Sequence, residues 1–233
     1  MSSRALELPG LARIPNLVHG FGQRLPEGEQ ETRDETRARV ARALEPVGRL
    51  LLLKQVHGAR VAEAPWDGTP EADAGLADAP GLLLGIETAD CLPILLVDKH
   101  RRAVAAAHAG WRGTSAGVAA RAVEALVAGG SRTADLLAAL GPAIGPCCYE
   151  VGEELRGAFA ADTDSVLRPG PRGRLHLDLR AANTRQLLRA GLGEGSLLQL
   201  DECTRCRSDR YHSYRREGRG AGRMISFVGF RRA

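Results

Sequence analysis

The run AAAHAGWRGT, residues 105–114, carries small apolar residues straight into His108 and then into Gly110, Trp111, Arg112 and Gly113, residue types that a plain core strand does not require. Upstream, ADCLPILLVD puts Cys91 at the outer end of a second apolar run, with a short polar turn between the two. If these runs pair as an antiparallel hairpin through a two-residue loop at Lys99 and His100, or a four-residue loop from Asp98 to Arg101, Cys91 and His108 stand directly opposite each other. Their Cβ atoms would then lie about 5 Å apart, which suits two ligands of one metal. A third donor, His57, lies in KQVHG, where Gly58 ends another apolar run. Two imidazoles and a thiolate form a three-ligand set for zinc, leaving the fourth position for water or substrate, an arrangement more often catalytic than structural. Copper accepts the same donors, so ligand type leaves both metals open.

Two other readings compete. Cys91 also reads as a small buried hydrophobe, and His57 and His108 as hydrogen-bonded core or loop histidines. Alternatively, His108 lowers the Cys91 thiol pKa and the two act as a nucleophile pair attacking an amide.

Positioning these groups requires several strands meeting at one edge. Apolar strand-like runs follow one another in RLLLKQVHG, ARVAEA, GLLLGIETAD, LPILLVD and RAVAAAHAG. A polar stretch, residues 24–36, leads into an Arg-rich helix ending near Leu44. SAGVAARAVEALVAGG reads as a helix with Ser115 near its N-cap, GEELRGAFAA and DLRAANTRQLLRAGL as two more, and DLLAALGPAIG, GRLHLD, LLQLD and RMISFVGF as strands. Hairpin-spaced strands mixed with helices favour an α+β fold over a doubly wound parallel sheet. With no repeat, low-complexity tract or linker, residues 1–233 are expected to form a single domain.

The net charge of +4 is scattered along the chain, and only Lys54 and Lys99 of the 32 basic residues are lysine. Dispersed arginine suits anionic small substrates and argues against a nucleic-acid partner. No apolar run approaches the roughly 20 residues that cross a bilayer, and the N-terminus lacks a signal-peptide apolar core. A cytoplasmic protein without a membrane partner, acting as a monomer, is expected. Five cysteines, an odd number, then point to free thiols or ligands instead of a disulfide framework.

KQVHGARV, ETADCLPILLVD, AAAHAGWRGT, LGPAIGPCCYEVG, DLRAANTRQLL and CTRCRSDRYHSYRREGRGAGRM together resemble the bacterial purine nucleoside phosphorylase family with the laccase-like domain, formerly described as multicopper polyphenol oxidases and in some cases as peptidoglycan-editing factors. The similarity runs in order from about residue 18 to the C-terminus. It implies a four-layer α/β/β/α sandwich with mixed sheets and one zinc held by His57, Cys91 and His108. The implied activity is phosphorolysis of adenosine, inosine and methylthioadenosine, alongside deamination of adenosine to inosine. The fold is also shared by glutamine deamidases that use a Cys-His pair. One departure stands out: after HGF, residues 19–21, family members carry Thr-Arg and a glycine-rich segment, whereas this chain has GQRLPEGEQETRDE, keeping only Arg24.

Phosphorolysis needs cations around phosphate and a group on the leaving base. Arg24, Lys54, Arg215 and Arg216 are the candidate phosphate clamp. Gln55 and Asp90 are candidates for loop geometry or for contacts behind the ligands. Asp73 is a candidate acid-base group or ribose contact, and Trp111 stacks on a purine or anchors the core. GPAIGPCCYEVG reads as a rigid turn placing Cys147 and Tyr149 near the pocket. Cys203 and Cys206 form a single C-x-x-C, a weak signal by itself; with Cys147 and Cys148 they could make a structural zinc site, and otherwise all four are buried or free thiols.

Overall fold

A computed structural model of the chain describes residues 4–26 and 28–232, so the expected polar stretch 24–36 is described except at Glu27, and the N-terminal run except at residues 1–3. Two large sheets face each other. The first has five strands in the order Ala5–Leu6, Leu17–Gly22, Met224–Phe230, Leu82–Thr88 and Arg49–Leu52; the second has six, in the order Leu197–Gln199, Leu136–Leu140, Leu92–Asp98, Val104–Ala109, Ala74–Ala77 and Val61–Glu63. Both are mixed: Arg49–Leu52 runs parallel to Leu82–Thr88, and Val61–Glu63 parallel to Ala74–Ala77, among otherwise mostly antiparallel neighbours. A small three-stranded sheet of Glu150–Val151, Leu175–Leu177 and Leu167–Pro169 stands beside them.

The alternation of side chains along each strand builds the layers. In Leu92–Asp98, Leu95 and Val97 point between the sheets and pack with Leu84, Ile86 and Val228 of the opposing sheet. Leu92, Ile94 and Leu96 point outward and are covered, with Ala105 and Ala107 of the next strand, by Val118, Ala122 and Leu126 of the helix Val118–Ala128 and by Leu187 of the helix Leu179–Arg189. On the far side, Leu83, Ile225 and Phe227 lie under Val40 and Leu44 of the helix Arg33–Leu44. The result is the expected α/β/β/α sandwich. Burial on both faces explains why these strands read as continuous apolar runs instead of alternating ones.

Local chemistry sets the element ends. Arg33–Leu44 starts in a complete capping box, with the Thr32 hydroxyl accepting from the Glu35 N–H and the Glu35 carboxylate accepting from the Thr32 N–H. The expected helix from Ser115 starts three residues later, as Val118–Ala128 after Gly117, whose φ of 82° separates it from a short preceding helix, Trp111–Ser115. GEELRGAFAA gives only the single turn Leu155–Ala158.

The central hairpin corrects the expected register. Pro93 is opposite His108 and Leu92 opposite Ala109, two positions from the expected pairing. The Asp98 carboxylate accepts from the N–H groups of His100 and Arg101, and Arg102 takes a left-handed φ of 56°, so the loop runs over Lys99–Arg102. A shift of two keeps every side chain on its original face. Cys91 and His108 therefore still point to the same side, toward the space between the sheets, as diagonal instead of direct neighbours.

Candidate metal centre

The site lies at the mouth of the sandwich, where residues 88–91 cross from one sheet to the other. Cys91 precedes its strand, His108 is the penultimate residue of Val104–Ala109, and His57 sits on the loop after Arg49–Leu52. The ligand atoms of His57, Cys91 and His108 all lie within 4.8 Å of one another, and the two imidazole rings meet edge to face with centroids 4.8 Å apart.

Asp73, with no exposed surface, organises this trio. Its carboxylate accepts from three successive backbone N–H groups, Val56 at 3.1 Å, His57 at 2.9 Å and Gly58 at 2.6 Å. This cupped anion site holds His57 at a φ of 63°, a conformation that costs energy for a residue with a side chain. The same carboxylate is 2.8 Å from Nδ1 of His108, which fixes the proton there and turns the Nε2 lone pair toward the other donors. Burial alone would raise the Asp73 pKa, but the His108 bond and the backbone N–H groups hold it below the usual value. Asp73 thus sits buried behind His57 and His108 and outside the lining of the cleft, so its expected acid-base or ribose contact has no direct path to a bound substrate here.

Burial also opposes ionisation of Cys91, yet the charge and hydrogen bonds of His108 and His57 prevail and bring the thiol down to about 6. His108 is pushed the opposite way, its burial offset by the Cys91 thiolate and Asp73. A thiolate and two imidazoles converging from one side are a donor set that fits zinc, and Gly110 leaves the room they need: a Cβ there would meet Cys91 Sγ at 2.9 Å and His57 Cδ2 at 3.3 Å.

The trio opens into a cleft of about 550 Å³. Trp111, Tyr149 and Tyr214 supply aromatic surface, Ile144 and Leu179 an apolar wall, and Arg33, Arg112, Arg215 and Arg223 guanidinium groups. Arg112 is exposed and stacks 4.3 Å from the centre of the Trp111 ring. Arg215 donates to the Glu150 carbonyl and lies 5.4 Å from the Tyr149 ring.

Of the other expected site residues, Gln55 lines the cleft and exchanges two 2.8 Å bonds with the Glu87 backbone, which pins the His57 loop to the neighbouring strand. Asp90 has a φ of 88° and accepts from the Thr204 hydroxyl and the Arg215 N–H, tying Cys91 to the C-terminal region. Lys54, Arg24 and Arg216 are not brought to this cleft. Lys54 pairs with Glu71 on the surface at 2.8 Å. Arg24 lines a separate cleft with Glu31, Arg39 and His212, and donates to the Ser208 carbonyl. Arg216 is held by the carbonyls of Thr204, Arg205 and Tyr211.

The sequence reading did not single out Arg33 and Glu87. Glu87, the lone charge inside the apolar run GLLLGIET, was the available signal. Its buried carboxylate receives paired bonds from both Arg33 and Arg37, at 2.6–3.0 Å. Although burial works against ionisation, the two guanidinium groups hold its pKa below the ordinary glutamate value of 4.5. Stability from this cluster is therefore complete above pH 4.5 and lost as pH falls toward the lowered folded value. Glu87→Gln is expected to lower the unfolding free energy at pH 7 by about 2 kcal/mol, less than the ~3–5 kcal/mol of a fully buried broken pair because Arg33 is half exposed. Urea midpoints at pH 7 and pH 3.5 should also reveal a shallower loss with acid in the variant; equal slopes would contradict the assignment.

The fold is that of a laccase-like domain, and the chain belongs to the multi-copper polyphenol oxidoreductase laccase family, whose model matches residues 24–231. It is 40% identical to a purine nucleoside phosphorylase of Deinococcus radiodurans, over 96% of this chain and 95% of that protein. It is 36% identical to adenosine deaminase RL5 from an unknown prokaryotic organism, over 77% of this chain and 74% of that one. The crystal structure of YlmD from Geobacillus stearothermophilus matches with a TM-score of 0.85 at 28% identity, covering 98% of this chain and 99% of that one. Among the described residues, no helix is long and apolar enough to cross a membrane.

Proposed function

We propose that this chain is a zinc-dependent purine nucleoside phosphorylase acting on adenosine, inosine and methylthioadenosine, with adenosine deaminase activity at the same site. The observation that carries the reading is the Asp73-backed trio of His57, Cys91 and His108 opening directly onto a cleft lined by aromatic rings and guanidinium groups. The names of the Deinococcus and RL5 relatives support the two activities. Zinc bound by the trio would supply Lewis acidity and a bound water of lowered pKa, the nucleophile that deamination needs.

The chain's own residues account for the rest. In phosphorolysis, a phosphate oxygen bonds to the anomeric carbon as the bond to the purine nitrogen breaks, and the departing base gains a proton. Arg112 and Arg215 are the cations that hold the phosphate, Arg112 having no carboxylate partner among the described residues. Trp111 and Tyr149 flank the base, while Ile144 and Leu179 exclude water. Burial and the nearby Cys91 charge push the Tyr149 phenol up, keeping it protonated and able to donate a hydrogen bond to the purine.

Arg112→Ala is expected to raise the phosphate KM about 10-fold or more with a smaller effect on nucleoside KM, the loss of one charge-assisted contact worth ~1.5–3 kcal/mol. An unchanged phosphate KM would remove Arg112 from the clamp. We further read residues 1–233 as one domain working as a monomer in the cytoplasm; that none of its five cysteines is disulfide-bonded supports the reducing compartment.

Two alternatives remain distinguishable. Copper fits the same trio, but a multicopper oxidase needs several histidine-rich sites, and the chain has six histidines in all. The depressed Cys91 thiol, with His108 and Asp73 in line behind it, favours a second reading as a metal-free Cys-His hydrolase or amidase in cell-wall maintenance. Chelation decides between them: phosphorolysis should vanish in chelator and return with zinc. Activity that survives chelation and is lost on thiol alkylation would support the hydrolase.

A further inference from the structure

A second group of donors lies outside the cleft. Cys147 and Cys148 belong to the turn after Gly145, and Cys203 and Cys206 to a loop near the C-terminus, yet all four sulfur atoms lie within 4.8 Å of one another. Cys147 Sγ is 3.8 Å from Cys206 Sγ, and Cys148 Sγ is 3.4 Å from the same atom. A disulfide would require about 2.0 Å. Four sulfurs each about 2.3 Å from one zinc stand about 3.8 Å apart along the edges of the tetrahedron. The separations of 3.4 and 3.8 Å lie near that edge, and with all four sulfurs within 4.8 Å of one another the group fits a single ion and is too compact for a cluster of several irons.

The surrounding backbone is shaped for thiolates. The Gly145 N–H donates to Cys203 Sγ at 3.2 Å, and the N–H groups of Arg205 and Cys206 turn toward the same sulfur. Such N–H donors stabilise the negative charge a metal-bound thiolate retains. Arg205 Nη1, 3.5 Å from Cys148 Sγ, offsets part of the charge of a tetrathiolate centre. A side chain at Gly145 would press at 3.3 Å on both Cys147 Sγ and Cys203 Cβ, so glycine keeps the space between the two pairs. The pairs meet through the bridge between Ala143 and Cys203, where Thr204 N–H donates to the Ala143 carbonyl at 3.1 Å.

We propose that Cys147, Cys148, Cys203 and Cys206 form a second metal centre, a structural zinc site that clamps the turn at 145–149 to the loop at 203–206. All four positions are taken by protein ligands, which marks a structural site. Binding releases the thiol protons and replaces four soft donors with one closed unit. The clamp bears on the cleft from outside: Tyr149 follows Cys148, and Thr204 donates at 2.6 Å to Asp90, the neighbour of Cys91. The proposal stands independently of the metal reading at His57, Cys91 and His108.

The test uses the full-length Cys91→Ala protein, reduced and stripped of metal, titrated with cobalt(II) alone. One equivalent should bind with the intense visible absorption of tetrahedral tetrathiolate cobalt, and zinc should bleach it. Adding Cys203→Ser or Cys206→Ser should abolish that spectrum. Absence of the tetrathiolate spectrum in Cys91→Ala, or its persistence unchanged after Cys203→Ser, would overturn the proposal. If the double variants fail to fold, metal content of the unstripped single variant decides: about one zinc per chain supports the site, and none overturns it.

Discussion

Asp73→Asn is expected to weaken zinc binding by about 10–100-fold, as loss of a group orienting a metal ligand does. The isosteric amide cannot satisfy all four of its neighbours. Turned one way, its NH2 faces the N–H groups of Val56 and Gly58; turned the other, it faces His57 N–H and donates to His108 Nδ1. The second orientation moves the imidazole proton to Nε2, where a lone pair is needed. Either orientation leaves a buried donor without an acceptor, which costs about 1–3 kcal/mol and relaxes the strained backbone at His57. Competition with a chromophoric chelator should expose the affinity loss, and thermal unfolding the stability loss. Zinc affinity equal to the parent protein would show that Asp73 does not act through His108.

Gly110→Ala is expected to disable the site while sparing the fold. Gly110 has φ −77° and ψ 174°, a backbone any residue adopts, so alanine introduces no torsional strain. The added methyl would collide with Cys91 Sγ at 2.9 Å and crowd the His57 ring at 3.3 Å, pressing on two of the three donors at once. Overpacking of this kind costs about 1–3 kcal/mol, and here it falls on ligand geometry. Zinc affinity should drop at least about 10-fold, in line with the effect of disturbing ligand orientation, while the circular dichroism spectrum stays that of the parent. Parent-like affinity would mean that the donors have slack which the structure does not indicate.

The trio was legible in the sequence because it depends on parity. Cys91 and His108 end two strands of alternating direction, and the loop extension at Lys99–Arg102 moved the register by two, which preserves the face. His57 was marked by the glycine that follows it, though its left-handed backbone was not, since that depends on a carboxylate sixteen positions away in the chain. For the same reason the surroundings of Asp73 were not legible: a lone acid before a strand gives no hint that three N–H groups will wrap it.

Which cations line the cleft was the least legible part. Arginine reaches far, and which of many arginines enters the cleft is decided by where the start of Arg33–Leu44 and the Trp111–Ser115 turn come to rest, both tertiary matters. Lys54 and Arg24 have partners of their own away from the cleft. The four cysteines could be grouped from the sequence as a possible zinc site, but only weakly, because it is the Ala143–Cys203 bridge that brings the two distant pairs together.

Phosphorolysis and deamination at the trio are separated by chromatographic analysis of products after incubating the zinc-loaded protein with adenosine, with and without phosphate, beside a Cys91→Ala control. Adenine and ribose 1-phosphate should form only when phosphate is present, inosine in either case, and none of the three in the control. Intact adenosine under both conditions, or turnover that survives in Cys91→Ala, would contradict the assignment of both reactions to the trio.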